Sequence, residues 1–257
     1  MSVDLLDKTR LINKLLQDKQ DNNRIIFNDL CKIIGGELGA NVMVITNKTG
    51  KLLGIYNNFN QRVIDELLTD KVGDVIDEAL NRRLSNILST KENVNLATLG
   101  FSEEAAANIT AIVSPILISG KRLGHLFIYR SDKLFNIEDI IIAEYGSTVI
   151  GLETMRAEKE ELETERIKKG TVEAAFNTLS ESEVSAVKSM LGELNTEKEG
   201  ILVASKIADQ IGITRSIIVN ALRKLESAGI VESRSAGMRG TYIKIVNDYV
   251  FDIFNFS

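Results

Sequence analysis

The stretch that most constrains the fold reads "ASKIADQIGITRSIIVNALRKLESAGIVESRSAGMRGTYIKI", residues 204–245. Within it Ala208, Gly212 and Ile218 stand at A-x3-G-x5-I, the spacing of a helix-turn-helix. A small residue at 208 lets two helices cross closely, and Gly212 can take a positive φ in the turn between them. Ile207, Ile211, Ile213, Ile218, Leu222 and Leu225 then share one buried side. Thr214 is placed to cap a second helix over roughly 214–228.

Burying that side leaves Arg215, Ser216, Asn220, Arg223 and, at the margin, Lys224 on the opposite face. Arginine and asparagine make two-pronged contacts with guanine and adenine edges in the major groove. Thr214 and Ser216, near the positive helix end, suit phosphate or base contacts, and Ser205 and Lys206 are counted with them. After Gly229 the chain alternates as a hairpin, with Arg234 and Arg239 near a glycine-rich tip. A helix-turn-helix followed by such a hairpin is a winged helix, whose basic wing reaches the adjacent groove or the backbone.

Charge supports the same reading. Residues 204–245 hold seven basic side chains (Lys206, Arg215, Arg223, Lys224, Arg234, Arg239, Lys244) and three acidic ones (Asp209, Glu226, Glu232). That local +4 sits in a chain of net charge −5, so the remainder carries −9. Attraction for phosphate is concentrated in one module, and the predicted partner is double-stranded DNA.

Composition narrows the alternatives. At 257 residues, with 44% apolar and 26% charged, the chain has the make-up of a globular protein of one large or two ordinary domains. No apolar run approaches the roughly 20 residues that span a bilayer, so no membrane role is expected. The opening "MSVDLLDKTRLINKLLQDKQ" lacks the apolar core of a signal peptide. One cysteine excludes an internal disulfide and fits a reducing compartment, and a cytoplasmic location is expected. One histidine and no Cys/His cluster leave no zinc site of the usual composition; no catalytic or metal-binding residue is assigned. His125, in the strand-like "KRLGHLFIYR", and Cys31, among Leu30, Ile33 and Ile34, are read as structural.

Ahead of the basic module the periodicity predicts an α+β domain. Two helices occupy the first forty residues, the second over Ile25–Leu38. "NVMVITNKTGKLLGIYNN" reads as a β-hairpin, residues 61–88 as helical, and "NITAIVSPILISGKRLGHLFIYRS" as two strands about Ser119-Gly120-Lys121. Pro115 points to an edge or bulge position. A helix opening at "NIEDIIIAEYGSTVIGLETM" continues through residues 156–169, where only Ala157, Leu162 and Ile167 are apolar; this is read as a solvated connecting helix. Ser180-x-x-Glu183 fits a capping box that opens the last domain. The expected divisions are 1–155 for the first domain, 156–179 for the linker and 180–257 for the winged helix.

Residues 204–245 closely resemble the DNA-binding region of the CodY family, global transcriptional regulators of low-GC Gram-positive bacteria. "LLDKTRLINKLLQ", "GKLLG", "RLGHLFIYR" and "EDIIIAEYGSTVIGLE" extend the resemblance along the chain, more loosely between residues 55 and 108. It implies an N-terminal GAF-like sensor domain, a long linker helix and a C-terminal winged helix-turn-helix. It implies a repressor whose DNA affinity rises with branched-chain amino acids, chiefly isoleucine (or valine and leucine). Many members also respond to GTP, and the family works as a homodimer, in some cases a tetramer. The family's carboxylate-gripping arginine falls on Arg62 in "NQRVIDELL", with Val63, Leu67 and Val72 as apolar walls. Without the resemblance Arg62 reads as a surface helix residue paired with Asp65 or Glu66. The family's threonine-aromatic-proline segment is altered here: "NLATLGFSEE" keeps Thr98 and Phe101 but not the proline or the spacing. No G-x4-G-K-[ST] loop occurs, and "DKVG" and "NKTG" are too short to assign GTP contacts. The competing function classes are a GAF-like signalling enzyme and a scaffold whose winged helix binds protein.

Overall fold

The structure is a computed structural model that describes residues 3–17, 27–131, 133–194 and 197–254. It divides into two compact units, Met1–Glu158 and Lys159–Ser257.

The first unit is built on a five-stranded antiparallel sheet in the order β2-β1-β5-β4-β3. The strands are β1 (Asn41–Thr46), β2 (Leu52–Tyr56), β3 (Lys91–Asn95), β4 (Ile109–Ile118) and β5 (Lys121–Ser131). Successive side chains of a strand point to opposite faces. Val42, Val44, Ile112, Leu126 and Ile128 accordingly meet α1 (Val3–Gln17), α2 (Phe27–Leu38) and the first turns of α5 (Ile137–Phe176). Met43, Ile45, Val113, Phe127 and Tyr129 face the other way, onto α3 (Glu78–Ser85), α4 (Glu103–Ala106) and the intervening loops. Both faces are covered, which is why the central strands read as nearly unbroken apolar runs. A Cβ at Gly146 would stand 2.6 Å from Ile34 Cδ1, so glycine there sets how closely α5 approaches α2.

Both predicted hairpins form, and α2 ends at Leu38; Ile25 lies outside the described residues. Pro115 sits where β4 has lost its outer neighbour, since β3 pairs with β4 only as far as Val113, and a register shift follows between Ile116 and Leu117. The helix expected over 61–88 is confined to Glu78–Ser85. Its start is fixed by Asp77, whose carboxylate accepts from Leu80 N–H at 2.9 Å. The preceding stretch is instead strapped along β2: Gly73 N–H donates to Leu52 O, Leu52 N–H to Asp74 O and Ile76 N–H to Gly50 O. Ile64, Leu67, Leu68 and Ile76 still reach the core from this irregular path, which is what imitated a helical period. β3, in the charged "KENVN", carries too little alternation to be read as a strand.

In the second unit, α6 (Glu181–Leu194), α7 (Ala204–Ile211) and α8 (Arg215–Ser227) pack against a three-stranded sheet of order β6-β8-β7. The strands are β6 (Glu199–Leu202), β7 (Val231–Ser235) and β8 (Thr241–Ile245), and α9 (Tyr249–Ile253) closes the unit. The end of α5 also belongs to this core: Val172 and Ala175 are buried in it, Phe176 stacks edge-on against Phe254, and Lys168 O accepts from Asn247 Nδ2. Over residues 161–169 α5 presents a run of exposed charge. No helix among the described residues is long and apolar enough to cross a membrane.

Candidate functional site

The helix-turn-helix forms as its spacing requires. α7 stops at Gly212, which takes φ 70° and ψ 33°, and Ile213 N–H returns to Ala208 O at 3.0 Å. Ala208 is buried at the crossing, and Ile207, Ile218, Ala221 and Leu225 join a core with Ala186, Val187 and Met190 of α6. Thr214 holds the N-cap position of α8 in extended conformation, but its hydroxyl does not cap; it shares a 2.8 Å hydrogen bond with Ser216 Oγ. Ile217 N–H donates to Thr214 O at 3.0 Å, which leaves the N–H groups of Arg215 and Ser216 at the start of α8 open to an anion.

Arg215, Ser216, Asn220 and Arg223 stand exposed together along α8, and Ser205 is exposed at the start of α7. Arg215, Asn220, Arg223 and Arg239 have no ion-pair or hydrogen-bond partner among the described residues. The other basic candidates differ. Lys206 lies 3.5 Å from Glu193 on the surface, a pair that DNA phosphate can displace at little cost. Lys224 does not join the contact face: its Nζ bonds Glu183 Oε2 at 2.7 Å and Thr178 O at 2.9 Å. These two bonds draw its head group toward α6 and the turn after α5.

The wing is the β7–β8 hairpin, closed by Ala236 N–H to Gly240 O at 2.8 Å with a single 3-10 turn at Gly237–Arg239. Arg239 and Met238 stand at the tip in solvent. Arg234 lies over the Tyr242 ring at 4.4 Å, and Tyr242 hydroxyl donates to Glu199 at 2.6 Å, so the guanidinium has a fixed platform. That bond raises the Tyr242 pKa. A cleft of about 420 Å³ opens here between Arg234, Tyr242, Lys244, Glu226 and Glu232.

In the first unit Arg62 lies in an irregular segment rather than a helix, and pairs with neither Asp65 nor Glu66. Its guanidinium is exposed and donates to Glu104 O at 3.1 Å, while its own carbonyl accepts from buried Asn41 Nδ2 at 2.8 Å. Glu66 binds Ser102 through N–H at 3.0 Å and Oγ at 2.7 Å. Segments 61–68 and 99–106 are thus stapled together, which brings Arg62, Leu67 and Phe101 into one region, with Leu67 and Phe101 in the core beside Ile64. Val63 and Val72 do not wall it: each is about half exposed. Thr98 is also outside, its hydroxyl bonded to Asn95 O at 2.6 Å. A cleft of about 330 Å³ in this unit lies elsewhere, among Asn93, Asn95, Asn108, Thr110 and Lys133.

The single histidine and the single cysteine are interior. His125 is fully buried, with Nδ1 3.0 Å from Arg122 and Nε2 facing Ser85 Oγ at 3.4 Å. Burial, then the Arg122 charge, lowers its pKa to about 3, so the ring is neutral. Cys31 is buried as expected, and its thiol is pushed up to about 12. Among the described residues no three His, Cys, Asp or Glu side chains gather as they would around a metal ion.

Two family models divide this chain between them: the CodY GAF-like domain over residues 4–178 and the CodY helix-turn-helix domain over 198–256. The chain belongs to the CodY family. Curated CodY proteins named global transcriptional regulator are similar over nearly the whole length. That of Clostridium perfringens (strain SM101 / Type A) is 43% identical over 256 residues, covering 96% of each chain. That of Caldanaerobacter subterraneus subsp. tengcongensis is 46% identical over 248 residues, again covering 96% of each. The solved cofactor binding GAF domain of the nutrient sensor CodY from Clostridium difficile is 34% identical, covers 60% of this chain and 99% of its own, and gives a TM-score of 0.46. The CodY relatives are named as transcriptional regulators.

Three contributors to the site escape sequence reasoning: Glu183, which holds Lys224 away from the contact face, Tyr242 beneath Arg234, and Glu104 opposite Arg62. The capping box was a visible signal for Glu183, but its partner is 41 residues away and no local period announces it.

Proposed function

We propose that the chain is a sequence-specific DNA-binding regulator of transcription, acting mainly as a repressor and gated by a small effector. The observation that carries this reading is the unpartnered row Arg215, Asn220 and Arg223 on a helix whose other side is buried, flanked by a basic wing. Such a row presents guanidinium and amide forks of the kind that pair with base edges in the major groove, while the wing adds phosphate attraction. The CodY relatives' role as global transcriptional regulators supports it.

The effector proposed is a branched-chain amino acid, chiefly isoleucine, held by its carboxylate at Arg62 and by apolar contacts from Leu67 and Phe101. Arg62 suits this because its guanidinium is exposed and spends only one donor on a neutral carbonyl. GTP is a second effector by family resemblance, with no residues assigned. The acting species is a homodimer, so that two winged helices meet two half-sites. Effector and DNA act through linkage: isoleucine favours the arrangement that binds operator better.

A gel shift of genomic fragments with and without isoleucine tests the reading. Discrete fragments should shift, and at lower protein concentration with isoleucine. No shift on any fragment would point to the protein-binding scaffold instead.

A further inference from the structure

Lys224 is the one basic residue of α8 that the structure removes from the DNA-facing row. It is tied into a network at the corner between α5 and α6. Glu183 and Ser180 form a reciprocal cap: Ser180 N–H donates to Glu183 Oε2 at 2.8 Å, and Glu183 N–H to Ser180 Oγ at 3.3 Å. The same Oε2 receives Lys224 Nζ at 2.7 Å, and Nζ donates again to Thr178 O, in the turn that follows α5. Glu183 is 8% exposed, and the Lys224 bond followed by the Ser180 N–H holds its pKa below the usual carboxylate value.

The apolar packing of α8 against α6 leaves helix rotation and slide to be set at its rim. Lys224 supplies that rim contact one residue after Arg223 and four after Asn220. The corner it grips is continuous with the end of α5, whose Val172, Ala175 and Phe176 pack into the same core. We infer that Lys224 and Glu183 are positioning residues for DNA recognition, a clamp that registers the reading face of α8 on the α5–α6 corner without touching DNA. The inference rests on α8 being the DNA-reading helix, as proposed above.

The test uses the full chain and two fluorescent duplexes of equal length: one selected from a random pool by the wild-type protein, and a scrambled control. Affinities are measured over a salt series for wild type, Lys224→Met, Lys224→Arg and Glu183→Gln, the last keeping an oxygen to accept from Ser180 N–H. A lysine that contacts phosphate contributes close to one unit to the slope of log K against log salt. The clamp predicts an unchanged slope for Lys224→Met and Glu183→Gln, with selected-over-scrambled preference falling about tenfold. Lys224→Arg should recover most of that preference.

A slope lower by about one with equal loss on both duplexes would make Lys224 a phosphate contact and overturn the clamp. A lower melting temperature with unchanged preference would leave the pair a stability contact only, which also overturns it. If Lys224→Met does not fold, Glu183→Gln decides: a fall in preference at unchanged slope supports the clamp, and an unchanged preference overturns it. If the wild type shows no preference in selection, α8 is not the reader, a failure of the DNA reading itself and separate from the other two.

Discussion

Arg215 and Asn220 are exposed and unpartnered, so an alanine at either removes only what it contributes to a bound duplex. Each substitution should cost about 1–3 kcal/mol on a selected site and much less on a scrambled one, read by fluorescence anisotropy. Arg239→Ala, at the wing tip, should instead weaken both duplexes alike and lower the salt slope by about one. His125 makes a prediction about pH. An unfolded histidine binds its proton near 6.5, but the buried ring binds one only near 3, so its contribution to stability is complete above 6.5 and is lost as pH falls toward 3. By pH 5 the loss should reach about 2 kcal/mol, measured as the wild-type urea stability change from pH 7 minus that of His125→Gln. Equal pH profiles for the two proteins would show that His125 titrates normally.

The elements divide into those that local chemistry determines and those that distant contacts decide. The helix-turn-helix, both hairpins, the capping box and the long α5 were legible because each depends on residues within one turn or one strand pair. Gly212 and Ser180 are clear cases: the first must take a positive φ, and the second caps within three residues. Gly212→Ala should therefore destabilise the winged unit by about 1 kcal/mol from backbone strain. Ser180→Ala should cost about 1 kcal/mol through the lost cap. Both are read by thermal unfolding, and an unchanged melting temperature in either would contradict the assigned role. What was not legible has a common cause. Residues 61–77 carry apolar groups at helix-like spacing, but Gly73, Asp74 and Ile76 pair with Leu52 and Gly50, a choice made by the neighbouring strand. Val63 and Val72 stand half exposed on this irregular path, whereas Leu67 and Phe101 meet across the staple of Glu66 on Ser102. Lys224 looked like a contact because it follows Arg223, and only a partner 41 residues away draws it elsewhere.

On the scale of the whole molecule, charge and chain organisation separate the two tasks. The basic excess sits in the module that reads DNA, while the acidic remainder holds Arg62 and the sheet that supports it. Isoleucine binding should be measurable by titration calorimetry and should fall at least tenfold in Arg62→Ala; equal affinity in the variant would remove Arg62 from the effector site. Linkage then requires the effector to strengthen DNA binding by the factor by which DNA strengthens effector binding. Whether the winged helix reads DNA under effector control is tested by the affinity of the full chain for a selected duplex and a scrambled one, each with and without saturating isoleucine. Binding should be tight to the selected duplex and weak to the scrambled one, with a further several-fold gain with isoleucine confined largely to the first. Equal binding to both duplexes, or a selected-site affinity that isoleucine leaves unchanged, would contradict this reading.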